Sequence, residues 1–290
     1  MAAYNQAITE IIRQRFSCRN YDPRPVEPGL RDQLSKVLVA SSTGPLGTRM
    51  RFELVSAGKD DSTALKGLGT YGFIKGASGF IIGAVDQGEK NMEDYGYLLE
   101  RAILFATDIG LGTCWLGGTF KKSRFSQKIS LKETEILPAV AAVGYVADKP
   151  RWFDSFIRRR AGSDNRLPWD ELFFDGTFRT ALSVDPSGPF ATPLEMVRLG
   201  PSASNKQPWR VIRDGTKWHF YLQRTSGYGN RNTTLFKLAD MQRIDMGIAM
   251  CHFELTVREM GLSGEWIHPE QSIETPDELT EYIITWQQKD

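Results

Sequence analysis

Two arginines and a serine alternate near the N-terminus of the chain, in the segment RFSCRNY at residues 15–21. In an extended backbone, Arg15, Ser17 and Arg19 would point to one side, because successive side chains alternate between faces. Two guanidiniums and a hydroxyl on one side could bind a phosphate and its attached polyol through charge-assisted hydrogen bonds. Arginines at a helix C-terminus, where the macrodipole favours cations, would explain the same residues, and this segment alone leaves both interpretations open.

A second candidate segment, GPSASNKQPW at residues 200–209, combines small residues with polar ones. The small residues would let a flat ligand approach the backbone, and Ser202, Asn205 and Gln207 offer donors and acceptors for a heteroaromatic edge. Pro208 restricts how the chain leaves this loop for the following strand. An ordinary loop rich in turn residues would have the same composition.

A third candidate segment, GLGTCWLGGT at residues 110–119, is predicted to be a helix stop followed by a turn with exposed backbone. Its glycines could present N–H groups to a ligand atom that becomes anionic or accepts a hydride. C-capping of the preceding helix is the simpler alternative.

Residues 67–72 spell G-x-G-x-x-G, the pattern of a dinucleotide-binding turn. That site needs a strand before the turn and a helix after it, so that the pyrophosphate meets a helix N-terminus. Here a polar segment precedes the glycines and a strand is predicted after them. We therefore interpret residues 67–72 as a Gly-rich loop.

The composition limits the classes of protein to which the chain can belong. Its 290 residues are 41% hydrophobic and 24% charged, and the formal net charge of +1 gives no field that favours nucleic acid or an anionic membrane. No apolar run approaches the roughly 20 residues that a membrane-spanning helix needs. Three scattered cysteines and three scattered histidines indicate neither a disulfide framework nor a metal centre. We expect a cytoplasmic protein without a metal.

Hydrophobic periodicity predicts the elements that position these segments. Helices are predicted at residues 5–15, 28–40, 92–109, 193–199 and 239–260. Strands are predicted at residues 52–57, 79–86, 138–146 and 282–286, with two paired strands at 209–224 around Gly215. The chain then reads helix, strand, helix, strand twice, and the polar segment at 149–169 would cross between the two halves.

The two halves match residue by residue when the chain is shifted by about 151 positions. The matched pairs are Asp94 with Asp245, Gly96 with Gly247, Leu104 with Leu255, Gly110 with Gly261, Leu111 with Leu262, and Trp115 with Trp266. Amphipathicity alone does not require matched glycines and a tryptophan at one fixed distance, so we infer an internal repeat. We expect halves at residues 1–160 and 161–290, with ligand sites at the seam of the pseudo-dimer.

Taken together, the three candidate segments resemble the signature regions of the nitroreductase family of FMN oxidoreductases. The tandem arrangement is similar to the subgroup in which two family-like halves are fused, and the resemblance extends from about Ile8 to the final strand. It implies an α+β fold, an α/β/α sandwich with antiparallel-dominated sheets. Family members are usually intertwined homodimers with two FMN sites at the interface, so a fused chain could act as a monomer.

The resemblance also implies roles for residues around the phosphate end of the cofactor. Arg15, Ser17 and Arg19 match the positions that bind the phosphate, the ribityl chain and the N1/O2 edge of the flavin. Phe16 occupies a place often held by a polar or basic residue. Arg166 resembles the late basic residue that completes the phosphate site, whereas the roles of the arginines at 159 and 160 stay open, since an arginine run is usually a solvated face.

Two further groups of residues are implied to surround the flavin ring. The turn beside N5 is matched by Leu116, Gly117 and Gly118. The loop that a partner subunit supplies in dimeric relatives is matched by Pro201, Ser202, Ala203, Asn205 and Gln207.

Each half departs from the family pattern where the other keeps it. In the first half the loop at residues 40–52 places Leu46 opposite Asn205 and Arg49 opposite Pro208, and the second half has no R-x-S-x-R segment before Pro193. The sequence therefore predicts one complete FMN site per chain.

The activity implied by the resemblance is transfer of electrons from NAD(P)H through FMN to a small acceptor such as a nitroaromatic or quinone. Arg19 would stabilise the anionic reduced flavin, a backbone N–H near Gly117 would contact N5, and no acid–base residue is needed. Two alternatives stay open: an FMN carrier or sensor without turnover, and specialised flavin chemistry such as reductive dehalogenation. Loops at 59–76 or 227–235 would select the acceptor.

Overall fold

A computed structural model of the chain describes residues 4–58, 63–148, 165–183, 188–227, 239–270 and 273–289. The α-helices in these residues are α1 Ile8–Gln14, α2 Pro28–Ala40, α3 Asn91–Asp108, α4 Lys122–Lys128, α5 Ala191–Arg198 and α6 Met241–Glu259. Short 3-10 helices cover Trp169–Glu171 and Ala203–Asn205. The strands are β1 Tyr21–Asp22, β2 Met50–Ser56, β3 Gly79–Asp86, β4 Gly112–Leu116, β5 Glu135–Ile136, β6 Val140–Val146, β7 Phe173–Asp175, β8 Thr177–Ala181, β9 Trp209–Asp214, β10 Lys217–Gln223, β11 Ser263–Ile267 and β12 Thr280–Lys289.

The strands form two six-stranded sheets with a shared order of four strands. In the first sheet β2, β3, β6 and β4 are successive neighbours, and in the second β9, β10, β12 and β11 follow the same order. The strand pairs are antiparallel, apart from the parallel pair of β7 and β9. One apolar core runs from the first sheet through α3 and α6 into the second sheet. The predicted α+β fold with antiparallel-dominated sheets is confirmed.

The internal repeat is visible in the bounds and ends of the elements. β4 and β11 both start and end 151 positions apart, at 112 and 263 and at 116 and 267. The helices before them stop in the same way, since Gly110 has φ +82° and Gly261 has φ +73°. These left-handed values suit glycine, which carries no Cβ. The two halves therefore share strand order and helix ends.

The central helices α3 and α6 cross at a pair of matched glycines. A Cβ on Gly96 would collide with the carbonyl of Ile244, and a Cβ on Gly247 would collide with the carbonyl of Glu93. These contacts are reciprocal under the same shift, because residue 93 corresponds to 244 and residue 96 to 247. The absence of a side chain at both glycines lets the two helix backbones approach closely, as in a two-fold interface.

The structure confirms one part of the predicted element order and corrects another. Each half has two adjacent strands between its helices, in the places where the sequence predicted them. Residues 112–116, predicted to be part of an exposed turn, form β4 because they pair with β6. The glycines at 67–72 lie in turns that precede β3, so their interpretation as a loop is confirmed.

Some predictions fall on residues outside the described ranges. These are the predicted boundary between residues 160 and 161, the arginines at 159 and 160, and parts of the two loops predicted to select the acceptor. The loop at 227–235 lies mostly outside the described ranges, and the loop at 59–76 lies outside them at residues 59–62. Among the helices that the structure does describe, none is both long and apolar enough to cross a membrane.

Candidate functional site

Residues 15–19 form an extended segment that runs parallel to β4. α1 ends at Gln14, and Arg15 already has extended backbone angles, φ −62° and ψ 128°. Ser17 forms a parallel bridge with Thr113, and the Cys18 N–H donates to the Thr113 carbonyl at 2.8 Å. Because the two segments run in the same direction, Arg19 lies nearer than Arg15 to the turn that follows β4. The extended interpretation of this segment is therefore the correct one.

The two arginines of this segment are buried and only partly satisfied. The Arg15 side chain is 7% exposed, and its Nε lies 3.7 Å from Glu100 Oε1 without a hydrogen bond. Arg19 is 9% exposed and lies over the Phe73 ring at 5.1 Å, and its buried Nε also lacks a hydrogen-bond partner. Arg19 Nη1 donates a hydrogen bond of 3.5 Å to the Ser17 carbonyl. A buried donor without a partner, such as each Nε, is costly, so both guanidiniums fit a site that receives an anion.

Glu100 connects Arg15 to the second half of the chain. Its Oε2 accepts a hydrogen bond from Trp115 Nε1 at 2.7 Å, and its Oε1 lies 3.0 Å from His252 Nε2. Burial alone would raise the pKa of Glu100, but the contacts with His252, Arg15 and Trp115 together hold it below its ordinary value. Glu100 is therefore an ionised carboxylate inside the seam between α3 and α6.

The loop at residues 201–207 is fixed by hydrogen bonds and by unusual backbone angles. The Ala203 N–H donates to both carboxylate oxygens of Asp245, at 3.0 and 3.1 Å, and the Gln207 N–H donates to Ser202 Oγ at 2.8 Å. Ser204, Asn205 and Gln207 have φ values of +52°, +55° and +49°. Such angles are strained for residues with a Cβ and persist where the surroundings hold the loop in place.

Asp94 plays the equivalent part in the first half. Its carboxylate accepts hydrogen bonds from the N–H groups of Leu46 and Thr48, each at 2.8 Å. The loops at 40–52 and 201–207 are thus held by matched aspartates. The two loops are therefore anchored in the same way, whereas the pairing of Leu46 with Asn205 made from the sequence stays a prediction.

Gln207 and Asn205 bind the protein segment that carries Arg166. Gln207 Oε1 accepts from the Leu167 N–H at 2.9 Å, and its Nε2 faces the Asn165 carbonyl at 3.4 Å. Arg166 donates to the Leu199 carbonyl at 3.1 Å and lies 3.4 Å from Asn205 Oδ1. The Gln207 amide therefore supports Arg166, and direct contact with a ligand stays a prediction.

α6 brings the remaining predicted segments together. A Cβ on Gly117 would overlap the side chain of Met241, the first residue of α6, and Asp245 lies one turn further along the same face. Met241 thus touches the turn after β4, while Asp245 holds Ala203. Around that turn Leu116 is buried, Gly117 is half-buried and Gly118 is exposed. Pro201 lies in the other loop, two residues before Ala203.

The C-terminal turn of α5 contacts two residues of this arrangement, Arg166 and His252. Arg166 binds the Leu199 carbonyl there, and His252 Nδ1 donates to the Met196 carbonyl at 2.8 Å. Through Glu100, the same histidine reaches Arg15. All three predicted segments and Arg166 therefore converge on the seam between the halves, while Phe16 points outward with 41% of its surface exposed.

The sequence did not identify three residues of this arrangement. Glu100 and His252 each follow apolar residues on the buried side of a predicted helix. A charged or polar residue at such a position indicates a buried polar contact, and this signal could have identified both residues. The sequence identified Asp245 only as part of the repeat. Its role is to hold the loop at 201–207 by accepting a hydrogen bond from the Ala203 N–H.

A separate groove of about 320 Å³ lies beside α1, α3 and α6, next to Tyr4, Arg101 and Leu255. None of the predicted site residues lines it. The groove is therefore distinct from the candidate site.

Comparison with known families gives a match over most of the chain. Residues 7–257 match the family model described as "Putative TM nitroreductase". The chain belongs to this nitroreductase family. The family assignment agrees with the resemblance found in the three sequence segments.

Solved structures of other nitroreductases resemble this family member. A putative nitroreductase from Thermotoga maritima is 17% identical, with a TM-score of 0.59, and the alignment covers 99% of this chain and 95% of that one. This likeness shows the fold. A nitroreductase family protein from Clostridium difficile is 20% identical, with coverage of 56% and 94% and a TM-score of 0.42. A putative nitroreductase from Exiguobacterium sibiricum, crystallised in complex with FMN, is 14% identical, with coverage of 58% and 96% and a TM-score of 0.42. Comparison with curated proteins gives no match.

Proposed function

We propose that the chain binds one FMN at the seam between its halves and uses it to pass electrons from NAD(P)H to a small acceptor, such as a nitroaromatic or a quinone. The observation that carries this proposal is the pair of buried arginines, Arg15 and Arg19, on an extended segment beside β4. Each has a buried Nε without a hydrogen-bond partner. Membership of the nitroreductase family supports the same activity.

The residues present fit an FMN molecule in charge and in order. Arg15 and Arg166 would hold the phosphate, Ser17 the ribityl chain, and Arg19 the N1/O2 edge of the ring. Because residues 15–19 run parallel to β4, Arg19 lies on the side of the N5 turn and Arg15 on the side of α5. This order agrees with a ligand that has an anionic tail and a flat head.

FMN would supply the two-electron chemistry that connects the nicotinamide to the acceptor. The protein residues would orient it and stabilise charge: Arg19 would stabilise the edge that becomes negative, and backbone N–H groups near Gly117 would contact N5. His252 is committed to Met196 and Glu100 through both ring nitrogens, so it is not available to transfer a proton to a substrate. The loop at 201–207 would close the site from the second half.

The visible spectrum of the purified protein tests the cofactor directly. We expect a yellow protein with one FMN per chain and a colourless protein when Arg15→Ala and Arg19→Ala are combined. Arg13→Ala is a matched control, because Arg13 lies in α1 and its ion pair within the described residues is with exposed Glu10. Stoichiometric flavin in the double variant would refute the site.

Turnover distinguishes the oxidoreductase from an FMN carrier. We expect steady oxidation of NADH or NADPH in the presence of menadione or a nitroaromatic. A flavin-bound protein without turnover would favour the carrier. Comparing the two nicotinamides in the same assay identifies the preferred donor.

We further infer that the protein acts as a monomer in the cytoplasm. The fused halves already place two related sheets around the α3–α6 crossing, which supports a monomer. The three cysteines are buried thiols, consistent with a reducing compartment, where NAD(P)H is also available. A dimer in light scattering would contradict the first inference.

A further inference from the structure

We propose that Glu100 is a positioning residue that holds the Arg15 guanidinium for the FMN phosphate, and that His252 from the second half holds Glu100 in turn. This inference rests on the proposed function. It gives the second half a role at the phosphate end of the site, in addition to the loop at 201–207.

The first step is that Glu100 itself is fixed in place. Its side chain is 0% exposed, and each carboxylate oxygen has its own partner: Trp115 Nε1 for Oε2 and His252 Nε2 for Oε1. These partners come from β4 and from α6, so two elements on different sides restrain the carboxylate. A carboxylate held in this way cannot turn to follow a moving arginine.

The second step concerns the proton between His252 and Glu100. His252 Nδ1 lies 2.8 Å from the Met196 carbonyl, which only accepts, so Nδ1 carries a hydrogen. His252 Nε2 lies 3.0 Å from Glu100 Oε1, and this contact also needs a hydrogen. His252 therefore joins Glu100 on α3 to the Met196 carbonyl on α5.

The third step concerns which side of Arg15 faces the carboxylate. The nearest pair of atoms is Arg15 Nε and Glu100 Oε1 at 3.7 Å, a charge contact that is longer than a hydrogen bond. No hydrogen bond to the Arg15 guanidinium occurs within the described residues. With Nε directed to Glu100, the two terminal nitrogens form the fork that would receive a phosphate.

The second half contains a comparable carboxylate without a buried arginine. Glu254 on α6 accepts from Trp266 Nε1 at 2.8 Å and from the Tyr97 hydroxyl at 2.7 Å. Like Glu100, it holds the tryptophan of the following strand and reaches across to the other central helix. Its cationic partner is Arg258, which is 43% exposed. Glu254 is therefore a matched control for the structural part of the Glu100 contacts.

Positioning and simple charge balance predict opposite results for Glu100→Gln. If Glu100 only neutralises Arg15, its removal raises the positive charge of the site and FMN binds more tightly. If Glu100 positions Arg15, its removal releases the guanidinium and FMN binds less tightly. Riboflavin lacks the phosphate, so its affinity depends on the contacts to the ring and the ribityl chain but not on the contact between Arg15 and the phosphate.

The test is to measure the Kd of FMN and of riboflavin for the full chain after removal of flavin by dialysis. We expect Glu100→Gln to weaken FMN binding about tenfold more than riboflavin binding, a loss of the size expected for one charge-assisted contact. Trp115→Phe, which keeps an aromatic ring but removes one donor to Glu100, should shift the ratio in the same direction by less. Glu254→Gln and Trp266→Phe should leave the ratio unchanged.

Three outcomes would overturn the proposal. Equal losses for both flavins in Glu100→Gln would show a structural role only, and tighter FMN binding would show charge balance. If Glu100→Gln does not fold, an unchanged ratio of the FMN and riboflavin Kd values in Trp115→Phe would also overturn the proposal. A wild-type chain that binds neither flavin would instead refute the proposed function itself.

Discussion

Asp245 is a buried carboxylate whose replacement should alter stability in a pH-dependent way. Burial raises its pKa well above the ordinary value of 3.8, and the hydrogen bond from Ala203 only partly opposes this. The folded protein therefore binds a proton at Asp245 in a pH range where the unfolded chain has released it. The contribution of Asp245 to stability is therefore largest below about pH 4 and is lost as the pH rises towards the folded pKa of Asp245.

Asp245→Asn removes this pH dependence while keeping the shape of the neutral acid. The amide oxygen can still accept from the Ala203 N–H, so the loop at 201–207 should keep its place. One proton bound only in the folded state corresponds to about 1.4 kcal/mol per pH unit. The free energy of unfolding of the variant, relative to wild type, should therefore rise by about this amount per unit above pH 4, and level off at the folded pKa.

Urea titrations at pH 4.5, 5.5 and 6.5, followed by tryptophan fluorescence, measure this difference. Asp175→Asn is the control, since the hydrogen bond from Arg213 holds the pKa of Asp175 below 3.8 and both states are ionised in this range. Its difference from wild type should stay flat. A flat difference for Asp245→Asn would refute the reasoning, because it would mean that Asp245 is ionised in both states.

Three further predictions concern packing and assembly. Gly247→Ala and Gly96→Ala should each lower the free energy of unfolding by about 2 kcal/mol or more in urea titrations, because the new Cβ meets a backbone carbonyl. Gly29→Ala in α2 is the control: nothing lies within 4 Å of the new Cβ, so this change should raise the free energy of unfolding by up to about 1 kcal/mol. Gly117→Ala should cost little stability, since the Met241 side chain can move, but should weaken FMN binding in a fluorescence titration; unchanged affinity would separate this turn from the site. Light scattering should give the mass of one chain, 32.7 kDa.

Local sequence signals were sufficient for elements whose ends are set by their own residues. α2 was predicted at its observed bounds, because Pro28 marks the first turn and Leu34 and Leu38 define the buried side. β3 was also predicted at its observed bounds, since a continuous apolar run of eight residues suits a strand buried on both faces. β4 was missed because GTCWL has no alternation and lies between glycines. Its strand character comes from pairing with β6.

The site divides in the same way between local and long-range information. The spacing of Arg15, Ser17 and Arg19 left an extended segment and a helix C-terminus both open, and the structure shows that the segment is extended. The contact between Glu100 and His252 joins residues 152 positions apart, so no local pattern could predict it. Gln207 was predicted to contact a ligand from its residue type and from the family resemblance, and that contact stays a prediction. Its side chain is bonded to Asn165 and Leu167, which no local pattern indicated, and its backbone has φ +49°.

The α3–α6 crossing determines the geometry of the site as well as the stability of the fold. Glu100 on α3 meets His252 on α6, and Met241 and Asp245 at the start of α6 contact the turn after β4 and the loop at 201–207. All these contacts depend on the distance between the two helices, which the matched glycines keep short. An alanine at Gly247 that leaves the protein folded should therefore also weaken FMN binding, since the halves would separate at the seam where each supplies part of the site.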